Sequence, residues 1–596
     1  MVTIRLLGPP AMDRPGGAAG QPRGRKAWAL LAYLLLAERP PARGRLAELL
    51  FADADDPLGA LRWTLAELRR TLGVRLDGDP VAVTVDPATV VDVRRVLAGR
   101  PDPAPLLDVE GELLEGVRLD SCLEFESWLV VERHRISALV EARLREAAAG
   151  LLAAGRAADA TPFAARAVAR NPLEEGNHEL LIRCLTAAGD RVAAARQLAV
   201  CEDLFDRELG VEPSAAVREA AGGSTGSAMM PPLGGRAAAV SQLEAGQAAI
   251  AAGALEAGLQ CLRRAVAEAG RCRDTGLRAR ALAALGGALV HAVRGRDGEG
   301  VVVLHEAILL ATEAGERATA VTAHRELGFV EVQAGHRLTG EAWLARAQEL
   351  AETDAEHAAV LGVRGMNASD RGDYPAAFAR LEESVERARR GDDERQEAWS
   401  LSLLARAHLL RGERAQATAA LDRSLDLVQR QRWLAFLPWP QILRAELDLH
   451  GGDTGAAADS LEQAWSLACQ LDDPCWLGMA ARGLALLHTA HGDHPAATEW
   501  HLRASSVCSR TPDRYQWVHG HVLDAAVTTA IERGDHERAV PLTTALATLA
   551  AHCDLRELTV RAHLHRHALG DATALSSARL LAADIDNPAL TRLLRG

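Results

Sequence analysis

Lysine is almost missing from this chain: Lys26 is the one example among 596 residues, and arginine fills nearly every other cationic position. A phosphate-cradling loop of the form G-x-x-x-x-G-K-[ST] needs its lysine to neutralise the bound phosphates. Lys26 follows Arg25, so no such motif exists, which argues against ATP-driven switching of that type. Aromatic residues are scarce as well, at 4%. A β-sandwich leans on aromatic and β-branched side chains, whereas the alanine, leucine and glycine abundant here favour helices packed through small residues. The nine cysteines include no C-x-x-C pair and no regular spacing. Neither a zinc site nor a disulfide framework is suggested, and scattered buried thiols in a reducing compartment are expected. Long apolar runs are absent too. Ala27 to Ala37 is the longest, too short to span a bilayer, and no signal peptide precedes it, so a cytoplasmic protein with no membrane contact is expected. No G-x-S-x-G, H-E-x-x-H or comparable nucleophile–base signature occurs, so no enzyme, catalytic residue or cofactor is expected.

What is present is unevenly spread. The net charge is −13, yet residues 1–75 hold twelve Arg/Lys against seven Asp/Glu, a local +5 set against −18 for the remainder. A basic head on an acidic chain is compatible with nucleic acid, because phosphate contact is local. Within residues 1–95, Val2 to Gly8 alternates apolar and polar residues and stops at Gly8-Pro9-Pro10, predicting a short strand and turn. Three helices are predicted next, from Arg25 to Glu38, Arg43 to Phe51 and Pro57 to Leu72. Pro57 suits a first turn and Gly73 a stop. In the third helix Leu58, Leu61, Leu65, Leu68 and Leu72 form the expected buried stripe. Arg62, Arg69 and Arg70 project elsewhere with Trp63 beside them. Arg62 and Arg69 are two turns apart on one face, a geometry that reaches into a major groove. Val74 to Leu76, Asp77-Gly78-Asp79 and Val81 to Val85 read as a hairpin, completing a winged helix-turn-helix. On an isolated helix such arginines would simply solvate a surface; here helix, hairpin and local charge agree. Glu67 on the same helix is either a base-edge acceptor or a partner for Arg70 or Arg62.

Residues 96–220 read as helical. A helix is predicted from about Phe125 to Leu152. Ala148, Gly155, Ala160 and Ala167 then fall at offsets −7, 0, +5 and +12 from the glycine, the small-residue spacing of tetratricopeptide repeats. Gly189-Asp190 follows 34 residues later, the period of that repeat. Residues 221–240 have the composition of a flexible linker. From 241 to 596 a second glycine series, Gly253, Gly295, Gly335, Gly372, Gly412, Gly452, Gly492 and Gly534, recurs at intervals of 37 to 42 residues. Eight helix pairs stacked as an α-solenoid are predicted, with a concave face suited to a protein or peptide segment and a degraded final repeat acting as a cap. Histidines gather at His488, His491, His494 and His501 and at His563, His565 and His567. No carboxylate or cysteine completes a metal set there, so solvated helix surface is expected and no metal.

Residues 1–220 resemble the Streptomyces antibiotic regulatory protein family, which joins a response-regulator-type winged helix to a bacterial transcriptional activator domain. The resemblance rests on Ile4-Arg5-Leu6-Leu7-Gly8, on Leu61-Arg62-x-x-Leu65-x-x-Leu68-Arg69-Arg70, and on Leu113-Leu114 with Trp128-Leu129. It rests most specifically on Asn171-Pro172-Leu173-x-Glu175, Gly189-Asp190-Arg191 and the closing Glu208-Leu209-Gly210-Val211-Glu212-Pro213-Ser214. The chain departs from the family near Leu198, where an aromatic is usual, near Ala60, where an Asn is usual, and in lacking the Gly-Tyr of many wings from Asp77 to Val83. The resemblance implies a mainly α transcription regulator, an activator on direct repeats of double-stranded promoter DNA, acting as a homodimer and touching RNA polymerase. It implies that Arg62, Trp63, Arg69 and Arg70 face the groove, that Arg23, Lys26, Arg43 and Arg45 meet phosphates, and that Arg75 serves the wing. The array then reads a protein or effector signal. The rival reading is a signalling adaptor whose winged helix contacts protein and no longer grips DNA.

Overall fold

The computed structural model describes residues 2–13, 21–37, 39–72, 74–87, 89–98, 103–222, 235–251, 254–292, 295–510 and 515–595. The chain is mainly α and divides into two compact units, residues 1–144 with 572–577, and residues 145–571 with 578–596.

The first unit opens with strands β1 (Val2–Arg5) and β2 (Ala11–Asp13), paired antiparallel with Ile4 opposite Met12. Helices α2 (Arg43–Phe51) and α3 (Pro57–Leu72) follow at the predicted positions, α1 (Arg25–Leu36) stops short of the expected Glu38 because Ala37 is already extended, and Gly73 lies outside the described residues. The hairpin of β3 (Arg75–Asp77) and β4 (Ala82–Thr84) pairs Leu76 with Val83. A third strand on β1 was not legible in the sequence: β5 (Thr89–Val91) lies parallel to it, and α4 (Asp92–Ala98) starts directly after. Asp92 accepts from the backbone N–H groups of Leu6 and Leu7, which ties the start of α4 to the end of β1. Burial pushes the Asp92 carboxyl above its ordinary pKa despite those bonds. The core is leucine-rich: Leu30, Leu31, Leu46, Leu50, Leu65 and Leu68 are fully buried. Helix α5 (Leu123–Ala153) brings Phe125 and Trp128 to this unit, where Trp128 packs on Tyr33 at 4.8 Å between ring centroids. Arg133 donates to the carbonyls of Leu113 and Leu114, anchoring the Leu113-Leu114 motif.

In the second unit come α6 (Ala157–Arg170), α7 (Glu175–Ala187), α8 (Arg191–Leu209) and α9 (Ala215–Gly222). The small positions Ala148, Ala160, Ala167 and Ala194 are fully buried, as the close approach of paired helices requires. The two specific phrases of the sequence turn out to be one construction. Gly210 takes the left-handed conformation that ends α8, at φ 65°. The chain then returns so that the Ser214 N–H donates to Glu175, the first residue of α7, at 2.9 Å. The buried Asn177 donates to the Ala167 and Asn171 carbonyls, and His178 contacts the Pro172 carbonyl. Of the linker expected at 221–240, residues 223–234 lie outside the described residues, and helices reach its two ends. Glu219 nonetheless pairs with Arg296 at 2.6 Å, so α9 sits against the first repeats.

Eight helix pairs follow among the described residues. They are α10 (Arg236–Ala251) and α11 (Leu255–Arg271), α12 (Thr275–His291) and α13 (Asp297–Ala314), α14 (Arg317–Gln333) and α15 (Arg337–Leu350), and α16 (Asp354–Asp370) and α17 (Tyr374–Arg390). Then come α18 (Glu394–Arg411) and α19 (Arg414–Arg430), α20 (Pro438–Gly451) and α21 (Thr454–Leu471), α22 (Pro474–Ala490) and α23 (His494–Arg510), and α24 (Gln516–Glu532) and α25 (His536–His552). Three more helices close the chain: α26 (Arg556–Ala568), α27 (Ala574–Ala582) and α28 (Pro588–Leu593). The turn glycines from Gly295 to Gly534 all adopt positive φ, which a side chain would strain, while Gly253 lies outside the described residues. An aspartate usually comes next and caps the following helix: Asp373, Asp453 and Asp535 each accept from the backbone N–H three residues on.

The repeats do not stay local. Asp370, at the end of α16, receives Arg337 and Arg406 at 2.7 Å each and the Tyr515 hydroxyl at 2.8 Å, and the Asp370, Arg337 and Arg406 side chains are fully buried. The Arg406 guanidinium lies 4.3 Å from the Trp517 ring centroid. Tyr374 donates to Glu557, Arg371 pairs with Asp554 at 2.8 Å, and Asn587 donates to the Leu410 carbonyl. Helices α24 to α26 and α28 thus cover α14 to α18 of the same chain. The histidine clusters also differ from expectation. His491 and His494 are exposed, but His501 and His563 are buried, and His565 pairs with Asp524 at 2.7 Å. His501 faces inward because the Thr529 hydroxyl meets it there.

Candidate nucleic-acid interface

The site is built on α3. Leu61, Leu65, Leu68 and Leu72 recur every three or four residues and are buried, so the opposite face must meet solvent. Leu58 departs from the expected stripe: it is 48% exposed, because the buried row begins one turn further in, at Leu61. Thr64 and Glu67 join the inner side instead. Glu67 is 2% exposed and accepts from the Arg23 backbone N–H at 2.7 Å, which removes it from any groove-facing role and from Arg62 and Arg70.

The outer face carries Arg62, Trp63 and Arg70, all exposed, with Trp63 at 60%. Arg62 has only a loose contact with Asp56 at 3.5 Å, both side chains in solvent. Arg69 behaves differently. Its guanidinium donates to the Leu76 carbonyl and lies 3.9 Å from Asp77, so it ties α3 to the hairpin. Arg75 stands exposed on β3. Arg43 braces the hairpin turn from α2, with its backbone N–H on Asp79 at 2.8 Å and its Nε on the Gly78 carbonyl at 3.0 Å.

The other cations gather elsewhere. Arg45 pairs with Glu124 at 2.9 Å and is half-buried. Lys26 pairs with Asp53 and lies over the Phe51 ring. The Lys26 ammonium and the Ser121 hydroxyl, which donates to Asp53 at 2.8 Å, hold the Asp53 carboxyl below its ordinary pKa. Arg23 is exposed beside them. Arg23, Lys26, Phe51 and Ser121 line a cavity of about 650 Å³ together with Arg25, Trp63 and Arg118. Sequence reasoning missed Arg25 and Arg118. Arg25 opens α1 next to two chosen cations and was within reach; Arg118 lies in a loop without periodicity, and nothing in the sequence placed it near α3.

The structure therefore brings Arg62, Trp63 and Arg70 onto one solvent ridge, sets Arg43, Arg69 and Arg75 at the hairpin, and groups Arg23 and Lys26 at the cavity. Arg45 stays with its carboxylate. Among the described residues there is no cluster of three or more His, Cys, Asp or Glu placed to hold a metal, and no helix long and apolar enough to cross a membrane.

Residues 107–222 match the family described as bacterial transcriptional activator domain, and residues 356–430 match a tetratricopeptide repeat family. Neither is an enzyme family. No curated protein matches the chain. Among solved structures, a Rap protein complexed with competence and sporulation factor shares 11% identity over 60% of this chain and 95% of its own, with a TM-score of 0.40. EmbR of Mycobacterium tuberculosis, solved with a low-affinity phosphopeptide, shares 19% over 37% of this chain and 64% of its own, with a TM-score of 0.28. Aspartyl phosphate phosphatase F from Bacillus subtilis shares 9% over 54% and 96%, with a TM-score of 0.38.

Proposed function

We propose that this chain, a regulator of the Streptomyces antibiotic regulatory protein type by its activator domain and C-terminal tetratricopeptide repeats, acts by binding double-stranded promoter DNA through α3. In this reading residues 1–95 form the DNA-binding module, 96–220 the activator domain, 221–240 a linker and 241–596 the sensing array. The observation that carries it is the exposed ridge of Arg62, Trp63 and Arg70, flanked by a hairpin that Arg69 fastens in place. A helix of this kind fits a major groove about 12 Å wide, and guanidinium groups read guanine edges there. The hairpin would rest on the adjoining backbone with Arg75, while Arg23, Lys26 and Arg43 meet phosphates. Direct repeats would then seat two copies, and the activator domain would contact RNA polymerase.

The test is a titration of fluorescently labelled promoter fragments by the full chain, with binding followed by anisotropy. Arg62→Ala with Arg70→Ala should weaken binding at least tenfold, since each base contact carries about 1–3 kcal/mol, and leave the circular dichroism spectrum unchanged. Both side chains are solvent-exposed, so the core is untouched. Unchanged affinity in that double variant would favour the adaptor reading.

A further inference from the structure

We infer that the loop from Val117 to Cys122, which belongs to the activator-domain segment, is part of the nucleic-acid footprint, and that Arg118 on it receives a backbone phosphate of the duplex docked on α3. This rests on the reading of α3 as the groove helix and adds a contact outside the winged helix.

Three observations support it. First, Arg118 shares one cavity with Arg23, Arg25 and Lys26, and Trp63 forms part of the same wall. Trp63 also stands on the solvent ridge of α3, so whatever lies along that ridge adjoins the cavity. A helix seated in a major groove has a sugar–phosphate backbone on either side, and a basic concavity beside the helix is where one of those strands runs. Second, the charge there is largely unspent. Lys26 is neutralised by Asp53, but among the described residues the Arg23 and Arg25 guanidiniums have no carboxylate partner. Arg118 has only Asp120 at 3.8 Å, with its side chain 77% exposed. Third, the loop is held on both sides of Arg118: before it, Val117 is buried and its N–H donates to the Leu114 carbonyl at 3.0 Å. Leu119 and Cys122 are buried, the Leu119 N–H donates to Glu126, the Cys122 thiol donates to the Leu50 carbonyl at 3.4 Å, and Ser121 donates to Asp53. The backbone that presents Arg118 is ordered before any ligand arrives, so binding costs little loop entropy. An acidic protein surface would suit the same charges, but continuity with the Trp63 and Arg62 ridge favours the duplex backbone.

The experiment uses the full chain and a promoter duplex that it binds, titrated by anisotropy across a series of KCl concentrations. Loss of one phosphate contact lowers the slope of log K against log salt by about 0.9. Arg118→Ala should do this, weaken binding about threefold to tenfold, and weaken it equally for specific and scrambled duplexes. Asp120→Ala should strengthen binding. Arg62→Ala, by contrast, should change the ratio between the two duplexes. If Arg118→Ala matches the wild type in affinity and salt slope while the Arg62 and Arg70 variant fails to bind, the loop is not in the footprint. If Arg118→Ala spares DNA but abolishes capture of RNA polymerase, the loop is a protein contact and the inference falls. A wild-type chain that binds no duplex at all would overturn the reading of α3 itself, a result distinct from either.

Discussion

Replacing Asp370 with alanine probes how the repeats are held together. This carboxylate accepts from Arg337, Arg406 and Tyr515, and the three charged side chains are fully buried. Burial works against the Arg406 cation, yet Tyr515 and Asp370 outweigh it and hold its pKa above the ordinary value. The cluster is not strongly stabilising as a whole, because Arg337 Nη2 and Arg406 Nε are buried without a partner among the described residues. Removing its anion is another matter. Two buried guanidiniums then face each other uncompensated, which costs about 3–5 kcal/mol. The second unit has 446 residues, and an unfolding entropy of about 2.1 cal/mol/K per residue gives roughly 0.9 kcal/mol per degree. Asp370→Ala should therefore lower the melting temperature by about 3–5 °C in differential scanning calorimetry if the unit melts as one. A shift of about 5–9 °C would mean that α14 to α28 melt apart from the rest. Exchanging Arg337 and Arg406 for methionine, Asp370 for leucine and Tyr515 for phenylalanine together should recover most of the loss. A single alanine variant that melts within a degree of the wild type would refute the claim that this cluster closes the array.

Two further outcomes are expected. Burial first, and then nearby arginines, push His501 and His563 down to about 4 in the folded chain. The unfolded chain takes up those protons first, so their stabilisation is complete above about pH 6.5 and is lost as pH falls towards 4. That amounts to about 1.5 kcal/mol per histidine between pH 6.5 and 5. His501→Gln with His563→Gln should flatten the fall in melting temperature between pH 7 and 5, and an unaltered slope would count against it. Burial also raises the Cys184 and Cys201 thiols to about 12. Iodoacetamide labelling of the native chain at pH 8 should spare both and reach the exposed Cys469; early modification of Cys184 in the mass spectrum would contradict the buried placement.

Much of this was legible in the sequence because it is written locally. Leucine spacing marked α1, α2 and α3, and the regular glycine intervals with small residues beside them marked the repeat turns from Gly295 onward, where each glycine takes positive φ. The winged-helix hairpin followed from Asp77-Gly78-Asp79 between two apolar runs. What escaped notice depends on distant partners. The three residues of β5 pair with a strand more than eighty positions away, and nothing in Thr89–Val91 announces that. Glu67 looked like a surface acid because its partner, a backbone N–H at Arg23, has no side-chain signature. The burial of His501 and the meeting of Asp370 with Tyr515, 145 positions later, are likewise set by how the pairs close. In the candidate site, Arg62, Trp63 and Arg70 could be chosen by helical phase, whereas Arg118 could not.

That closure bears on how the chain is made. In an open row of repeats each pair is complete once its neighbour exists, so folding can keep step with synthesis and fraying can begin at either tip. Here Arg337, Asp370 and Arg406 wait for Tyr515, and Leu410 waits for Asn587. Middle helices emerging from the ribosome must hold unmatched charges until Tyr515 has followed them. Nonsense products ending before that point would display them, marking such fragments for chaperones and proteases.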